Sequence, residues 1–170
     1  MTLVREASFS RAKLIPSIHQ NGSIKVDLGS TGLCLPSYIR VGNTPESDPD
    51  IFWNLECGLP KRESLYFGHE YLFPNDSVNE FRAYHSLERI RNLILLMDET
   101  WNATVHNGIL KVYAPSVNFP QWDISIRVFS KEMFESFTKP SSLTEKTWTI
   151  LDGYPKIVST EIECWMTPNK

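Results

Sequence analysis

"VNEFRAYHSLERIRNLILLMD", residues 78–98, decides how the rest of the chain is read. From Val78 its apolar positions are Phe81, Tyr84, Leu87, Ile90, Leu93, Ile94 and Met97, spacings that follow one face of a helix. Arg82, Glu88, Arg89 and Arg91 fall towards water. Ser77 followed by Glu80 makes a capping box, with Asp76 placed where a helix N-terminus favours negative charge. The spacing predicts one long helix over 78–98. Its last turns are apolar nearly all round, which predicts a central, buried position.

Strands are expected on both sides of it. "LIPSIHQ" (14–20) reads into Asn21-Gly22 and "SIKVDL" (23–28) reads out. Asn-Gly between alternating residues is the strongest local hairpin signal, because both central residues of a type I′ turn take positive φ. "YIRV" (38–41), "IFWNLE" (51–56) and "ESLYFGHEYLF" (63–73) read as further strands. After the helix, "TWNATVH" (100–106), Asn107-Gly108 and "ILKVYA" (109–114) read as a second hairpin. "DISIRVF" (123–129) reads as a strand and "KEMFESF" (131–137) as a short amphipathic helix. "TWTIL" (147–151) and "KIVSTEIECWM" (156–166) complete the strands.

The two hairpins raise the question of an internal repeat. Asn21, Gly22, Lys25 and Val26 recur as Asn107, Gly108, Lys111 and Val112. Ile39-Arg40-Val41 recurs as Ile126-Arg127-Val128, and Trp53, Gly58, Pro60 and Lys61 recur as Trp148, Gly153, Pro155 and Lys156. Each match alone is at the level of chance, but all three keep the same order. Duplication and a coincidence of hairpin chemistry both account for them. The resulting expectation is an α+β fold, mainly antiparallel β, in a single compact domain over 1–170. Two similar, pseudo-duplicated β units (14–73 and 100–166) would be joined by the central helix 78–98, with a short helix over 131–137.

Composition excludes more than it selects. The net charge of −3 gives no global basic field for nucleic acid. Cys34, Cys57 and Cys164 lie far apart, which argues against a disulfide framework and a structural zinc. The start of the chain shows no apolar signal segment and no run reaches membrane-spanning length. A cytoplasmic location without a transmembrane segment is therefore expected. His85 and Glu88 form H-x-x-E on the expected helix, with His69-Glu70 nearby, but no second motif completes a ligand set. No Gly-x-Ser-x-Gly elbow, no phosphate-cradling glycine loop and no family-type cysteine context is present. On these grounds neither catalytic residues, metal ligands nor a cofactor are expected, and the chain is read as not an enzyme.

Binding features remain. Lys25, Tyr38, Arg40, Lys111, Tyr113 and Arg127 lie on expected strands, and Arg82 and Arg89 give the expected helix a partly basic face. The leading expectation is a non-catalytic interaction or assembly protein that contacts another protein or copies of itself. Matrix-type proteins of some negative-strand RNA viruses also use paired β units and basic patches. A viral accessory or structural role follows from that analogy of fold alone. The alternative is a sequence-tolerant single-stranded nucleic-acid (RNA-binding) protein, stacking bases on aromatic residues and tracking phosphates with Lys and Arg.

Overall fold

A computed structural model of the chain describes residues 8–9, 22–29, 35, 37–45, 48–64, 68–116 and 127–170. Its strands are β1 (Ser8–Phe9), β2 (Lys25–Leu28), β3 (Ile39–Gly42), β4 (Ile51–Phe52), β5 (Lys61–Ser64), β6 (Gly68–Tyr71), β7 (Val78–Tyr84), β8 (Thr104–Pro115), β9 (Trp148–Ile150), β10 (Lys156–Val158) and β11 (Glu161–Pro168). The helices are α1 (Leu93–Ala103) and α2 (Lys131–Ser136). One sheet runs in the order β1-β4-β3-β2-β7-β8-β11-β10, with β9 also on β11, while β5 and β6 form a separate ribbon. At its centre β4, β3, β2, β7 and β8 are all mutually parallel. The antiparallel pairings lie at the two ends, β1 on β4 and β8 through β11 to β9 and β10. No described helix is long and apolar enough to cross a membrane.

This corrects the expected mainly antiparallel architecture. Parallel sheets normally read as continuous apolar runs, because both faces are buried. Here one face is apolar and the other is not. Val41, Leu28, Ala83, Val112 and Cys164 lie across the strands in one row, and Ile39, Val26, Phe81, Leu110 and Met166 in the next. All ten are buried and belong to one core with Leu93, Leu96 and Met97 of α1. The intervening row is Arg40, Asp27, Arg82, Lys111 and Trp165. The strands therefore alternate apolar and polar, the pattern that antiparallel sheets usually show.

The long central helix over 78–98 is likewise replaced. Residues 78–84 are strand β7, followed by His85 at φ +50°, a 3₁₀ turn at Leu87–Arg89, and only then α1. A bulge between Val78 and Glu80 explains the misleading spacing. It inserts a residue, so that Val78 and Phe81, three apart, both face the core. Asn79 fixes the bulge: its Oδ1 accepts from Ile24 N at 2.8 Å, and its own N donates to Ile24 O at 2.9 Å. The expected capping box does not form, since Ser77 Oγ donates to Pro74 O instead. The carboxylate of Glu56, distant in sequence, accepts from Arg91 N and Asn92 N just ahead of α1.

Asn107-Gly108 is not a hairpin turn but a bulge inside β8. Val78 pairs with Thr104, yet Glu80 pairs with Ile109. Asn107 takes φ +63°, and a Cβ on Gly108 would stand 2.6 Å from Thr104 Cγ2. Residues 100–103, expected as a strand, close α1. The second hairpin is thus absent, and strands from both expected β units share the main sheet, with β5 and β6 apart. The incoming arm of the first hairpin (14–21) and most of 123–129 lie outside the described residues.

Candidate functional site

The parallel strands place their carboxyl ends along one edge of the sheet. From β2 the chain runs outward through β3 to β4, then returns to the other side of β2 for β7 and β8. Open sheets of this kind bind ligands in the crevice beyond the strand ends where that order reverses. Here the reversal falls between β2 and β7. Gly29, directly after β2, has φ +76°, and its N donates to Val41 O at 2.7 Å. A Cβ on Gly29 would lie 2.4 Å from Ser86 Cβ, so glycine allows the two strand ends to touch. A cleft of about 220 Å³ opens there. Its described lining comprises Gly29 after β2, Gly42 to Thr44 at the end of β3, Trp53 to Glu56 after β4, and His85, Ser86, Arg89 and Ile90 after β7.

The walls are held from outside. Trp53 N donates to Gly42 O at 2.7 Å and its indole Nε1 to Gly58 O at 2.9 Å, so the ring's position is fixed. Glu56 is fixed by the backbone of Arg91 and Asn92, as described above. The turn between them and β5 is clamped by Glu99 of α1, which accepts from Leu59 N at 2.6 Å, Lys61 Nζ at 2.7 Å and Tyr71 OH at 2.8 Å. Burial alone would lower the Lys61 pKa, but the hydrogen bond and charge of Glu99 raise it. Gly58 makes room for this clamp: at φ +81°, its Cβ would lie 1.9 Å from Glu99 Oε2.

Several polar groups meet at the cleft. His85 holds a left-handed backbone conformation, uncommon for a non-glycine residue and often found at functional sites. Its Nε2 lies 2.6 Å from Glu161 Oε1 on β11, and Tyr84 OH donates to the same oxygen at 3.3 Å. Burial, then the Glu161 charge, pushes the Tyr84 hydroxyl pKa up. Ser86 Oγ is buried without a hydrogen-bond partner among the described residues. Just behind, Glu88 is buried with Oε2 unpartnered, and desolvation raises its pKa. His85 and Glu88 do not share a helix face, and among the described residues no three His, Cys, Asp or Glu side chains are grouped to hold a metal. The His69 side chain lies outside the described structure.

The residues expected to bind nucleic acid are brought together only in part. Lys25, Tyr38, Arg40, Arg82, Lys111 and Tyr113 gather on the polar side of the sheet, but they engage one another and local carboxylates. Arg40 Nε lies 3.3 Å from Asp50, Arg82 Nη1 3.3 Å from Asp27, and Lys111 Nζ 2.8 Å from Glu80, which also bonds Tyr38 OH. Arg82 stacks over Tyr84 and Tyr113. Arg127 lies elsewhere, donating to Arg91 O at 2.9 Å, and Arg89 lines the cleft. Gly29, Asn43, Trp53, Glu56 and Ser86 were not anticipated. The available signal was "VDLGSTG" (26–32), an apolar strand running directly into a glycine turn.

No family model and no curated protein matches the chain. Solved structures do. A protein assigned as a type 11 methyltransferase from Sulfolobus solfataricus superposes with TM-score 0.57 at 10% identity, over 95% of this chain and 94% of that one. A substituted form of the 16S rRNA (adenine(1408)-N(1))-methyltransferase from Catenulisporales acidiphilia gives 0.53 at 8% identity, over 92% and 90%. The CurJ carbon methyltransferase gives 0.51 at 11% identity, over 95% of this chain and 51% of that one. The chain shares its fold with these methyltransferases. That finding overturns the expectation of a non-catalytic assembly protein, its viral matrix-like form, its single-stranded RNA-binding alternative, and the exclusion of enzymes. The sequence holds no contiguous nucleophile or phosphate motif. In this fold the site is instead built from strand ends far apart in sequence.

Proposed function

We propose that the chain is a methyltransferase whose donor, of the S-adenosylmethionine type, binds in the cleft at the carboxyl ends of β2, β3, β4 and β7. The observation that carries this reading is the crevice at the strand-order reversal, opened by the contact between Gly29 and Ser86. The lining suits a nucleoside. Trp53, Leu55 and Ile90 offer apolar walls for a base, while Asn43 and the unpartnered Ser86 hydroxyl offer polar contacts. Such a donor, when bound, supplies a methyl group on a positively charged sulfur.

His85 then has a defined task. Glu161 engages Nε2, which keeps the proton of the neutral ring on that nitrogen and leaves Nδ1 as an acceptor. Because His85 lines the cleft, its Nδ1 would take a proton from an N–H or O–H acceptor as it is methylated, with Glu161 stabilising the charged ring. The structures of similar fold are named for acceptors as different as an rRNA adenine and a carbon centre, so the fold alone does not select the acceptor.

The test is calorimetric titration with S-adenosylhomocysteine. Saturable binding to the wild-type chain, lost in Gly29→Val, is expected. No heat of binding up to about 1 mM ligand, a free energy weaker than about −4 kcal/mol, would remove the reading.

A further inference from the structure

The fold leaves the acceptor open, and the rim of the cleft narrows the choice. Three arginines gather there. Arg89 lines the cleft, and Arg91 follows it by two residues. Ile90 between them is extended and buried, so its two neighbours point the other way, and both are exposed. Arg127 reaches the same turn from elsewhere in the chain. Its backbone N donates to Glu88 O at 3.3 Å and its Nη2 to Arg91 O at 2.9 Å. Arg91 N in turn donates at 3.0 Å to Glu56, whose side chain lines the cleft. One short turn thus holds all three arginines on one side of the opening.

Two acids stand among these cations. Both Glu56 oxygens are taken by the backbone N–H groups of Arg91 and Asn92. Glu88 is buried, and its contact with Arg89 Nε, at 3.9 Å, is too long for a hydrogen bond. Within the described structure neither Arg91 nor Arg127 forms an ion pair. The cations on the polar side of the sheet differ in this respect. Arg40, Arg82 and Lys111 each face a carboxylate, Asp50, Asp27 and Glu80 respectively.

We propose that Arg89, Arg91 and Arg127 hold a phosphate monoester on the acceptor, so that the methyl group passes to a small phosphorylated molecule. This rests on the proposed donor site and names the class of its acceptor. A phosphate monoester carries up to about two negative charges at neutral pH and three terminal oxygens. Arginine forks engage such oxygens in pairs, which suits a cluster around one point. A nucleic-acid backbone carries its charge in a row and needs a row of cations to follow it. The next cations on the sheet, Arg82 and Lys111, are already matched by Asp27 and Glu80. His85 lines the same cleft, so an acceptor anchored at the rim has the base within the same opening.

The experiment titrates the full chain calorimetrically at pH 8 with phenyl phosphate, phenol and oligodeoxythymidylate, each with and without saturating S-adenosylhomocysteine. Saturable binding of phenyl phosphate is expected, and none of phenol. Arg89→Gln, Arg91→Gln and Arg127→Gln should each weaken phenyl phosphate by about tenfold, the loss of one charge-assisted pair. Arg89 and Arg91 are exposed, and circular dichroism checks the fold of each variant. Unchanged affinity in all three variants, or no binding up to about 10 mM, overturns the inference. Binding of S-adenosylhomocysteine would then still leave the donor site standing. Phenyl phosphate that displaces S-adenosylhomocysteine also overturns it, because the phosphate would lie in the donor's place. Tighter binding of oligodeoxythymidylate, lost in the same variants, overturns the monoester in favour of nucleic acid. Phenyl phosphate binding that the variants lose, without any binding of S-adenosylhomocysteine, retains the phosphate site and removes the methyl-donor reading.

Discussion

Replacing Gly58 by alanine probes the clamp that holds one wall of the cleft. Gly58 sits at φ +81° and ψ −153°, a region essentially reserved for glycine, so any L side chain there costs about 2 kcal/mol from backbone conformation alone. The larger cost is steric. The new methyl carbon would fall 1.9 Å from Glu99 Oε2 and 2.7 Å from its Cδ, so the carboxylate must leave. That carboxylate is 6% exposed and serves Leu59 N, Lys61 and Tyr71 together. Breaking a buried pair of this kind costs about 3–5 kcal/mol. The lower end applies because the Lys61 ammonium retains contact with water. The expected loss is therefore about 5 kcal/mol, a large part of a domain's total stability. Urea unfolding followed by tryptophan fluorescence measures it. In a Glu99→Ala background the same substitution should cost only the conformational part, about 2 kcal/mol, giving a coupling of about 3 kcal/mol. Equal costs in the two backgrounds would refute the clamp.

Two further outcomes follow from the buried groups. Glu88 has its carboxyl pKa raised by burial, so the folded state holds the proton more tightly than the unfolded chain. Below the ordinary carboxylate range both states are protonated and no penalty arises; it grows as pH rises through the folded value. Glu88→Gln should accordingly stabilise the protein by about 1 kcal/mol at pH 7 and leave it unchanged near pH 4. An equal difference at both pH values would contradict this. Cys164 is buried and burial pushes its thiol up to about 12, whereas Cys57 is exposed. With Cys34 replaced by serine, an aromatic disulfide reagent at pH 8 should label one thiol, Cys57, in the native protein and a second after unfolding. Prompt native labelling of Cys164 would show that its surroundings are open.

What the sequence made legible was local. The short helix over 131–137 was readable, because adjacent residues determine it, whereas 156–166, expected as one strand, turns at Ser159 into the hairpin of β10 and β11. The decisive segment 78–98 was not, for two physical reasons. A bulge at Asn79 widened one inward step of β7, from Val78 to Phe81, to three residues, which imitates helical spacing. The turn that leads into the helix is held by Glu56, whose contribution no local window contains. Parallel order was also hidden, since Asp27, Arg40 and Arg82 break the apolar runs that usually announce it. The cleft was illegible for the same reason as the topology. Gly29, Asn43, Trp53 and Ser86 have no linear spacing in common and meet only once the strand order is known.

The row of charges across the sheet also governs which alignments the chain can adopt. Lys25 stands opposite Glu80, and Asp27 opposite Arg82. A slip of one residue between β2 and β7 would turn Val26 and Leu28 away from the core. A slip of two preserves that alternation, so burial alone opposes it less. Electrostatics then decides, because the slip would set Lys25 against Arg82 in one direction and Asp27 against Glu80 in the other. Like charges directly opposite one another are destabilising. The polar side of the sheet thus acts as a proofreader during assembly, rejecting the near-miss pairings that an all-apolar sheet would tolerate.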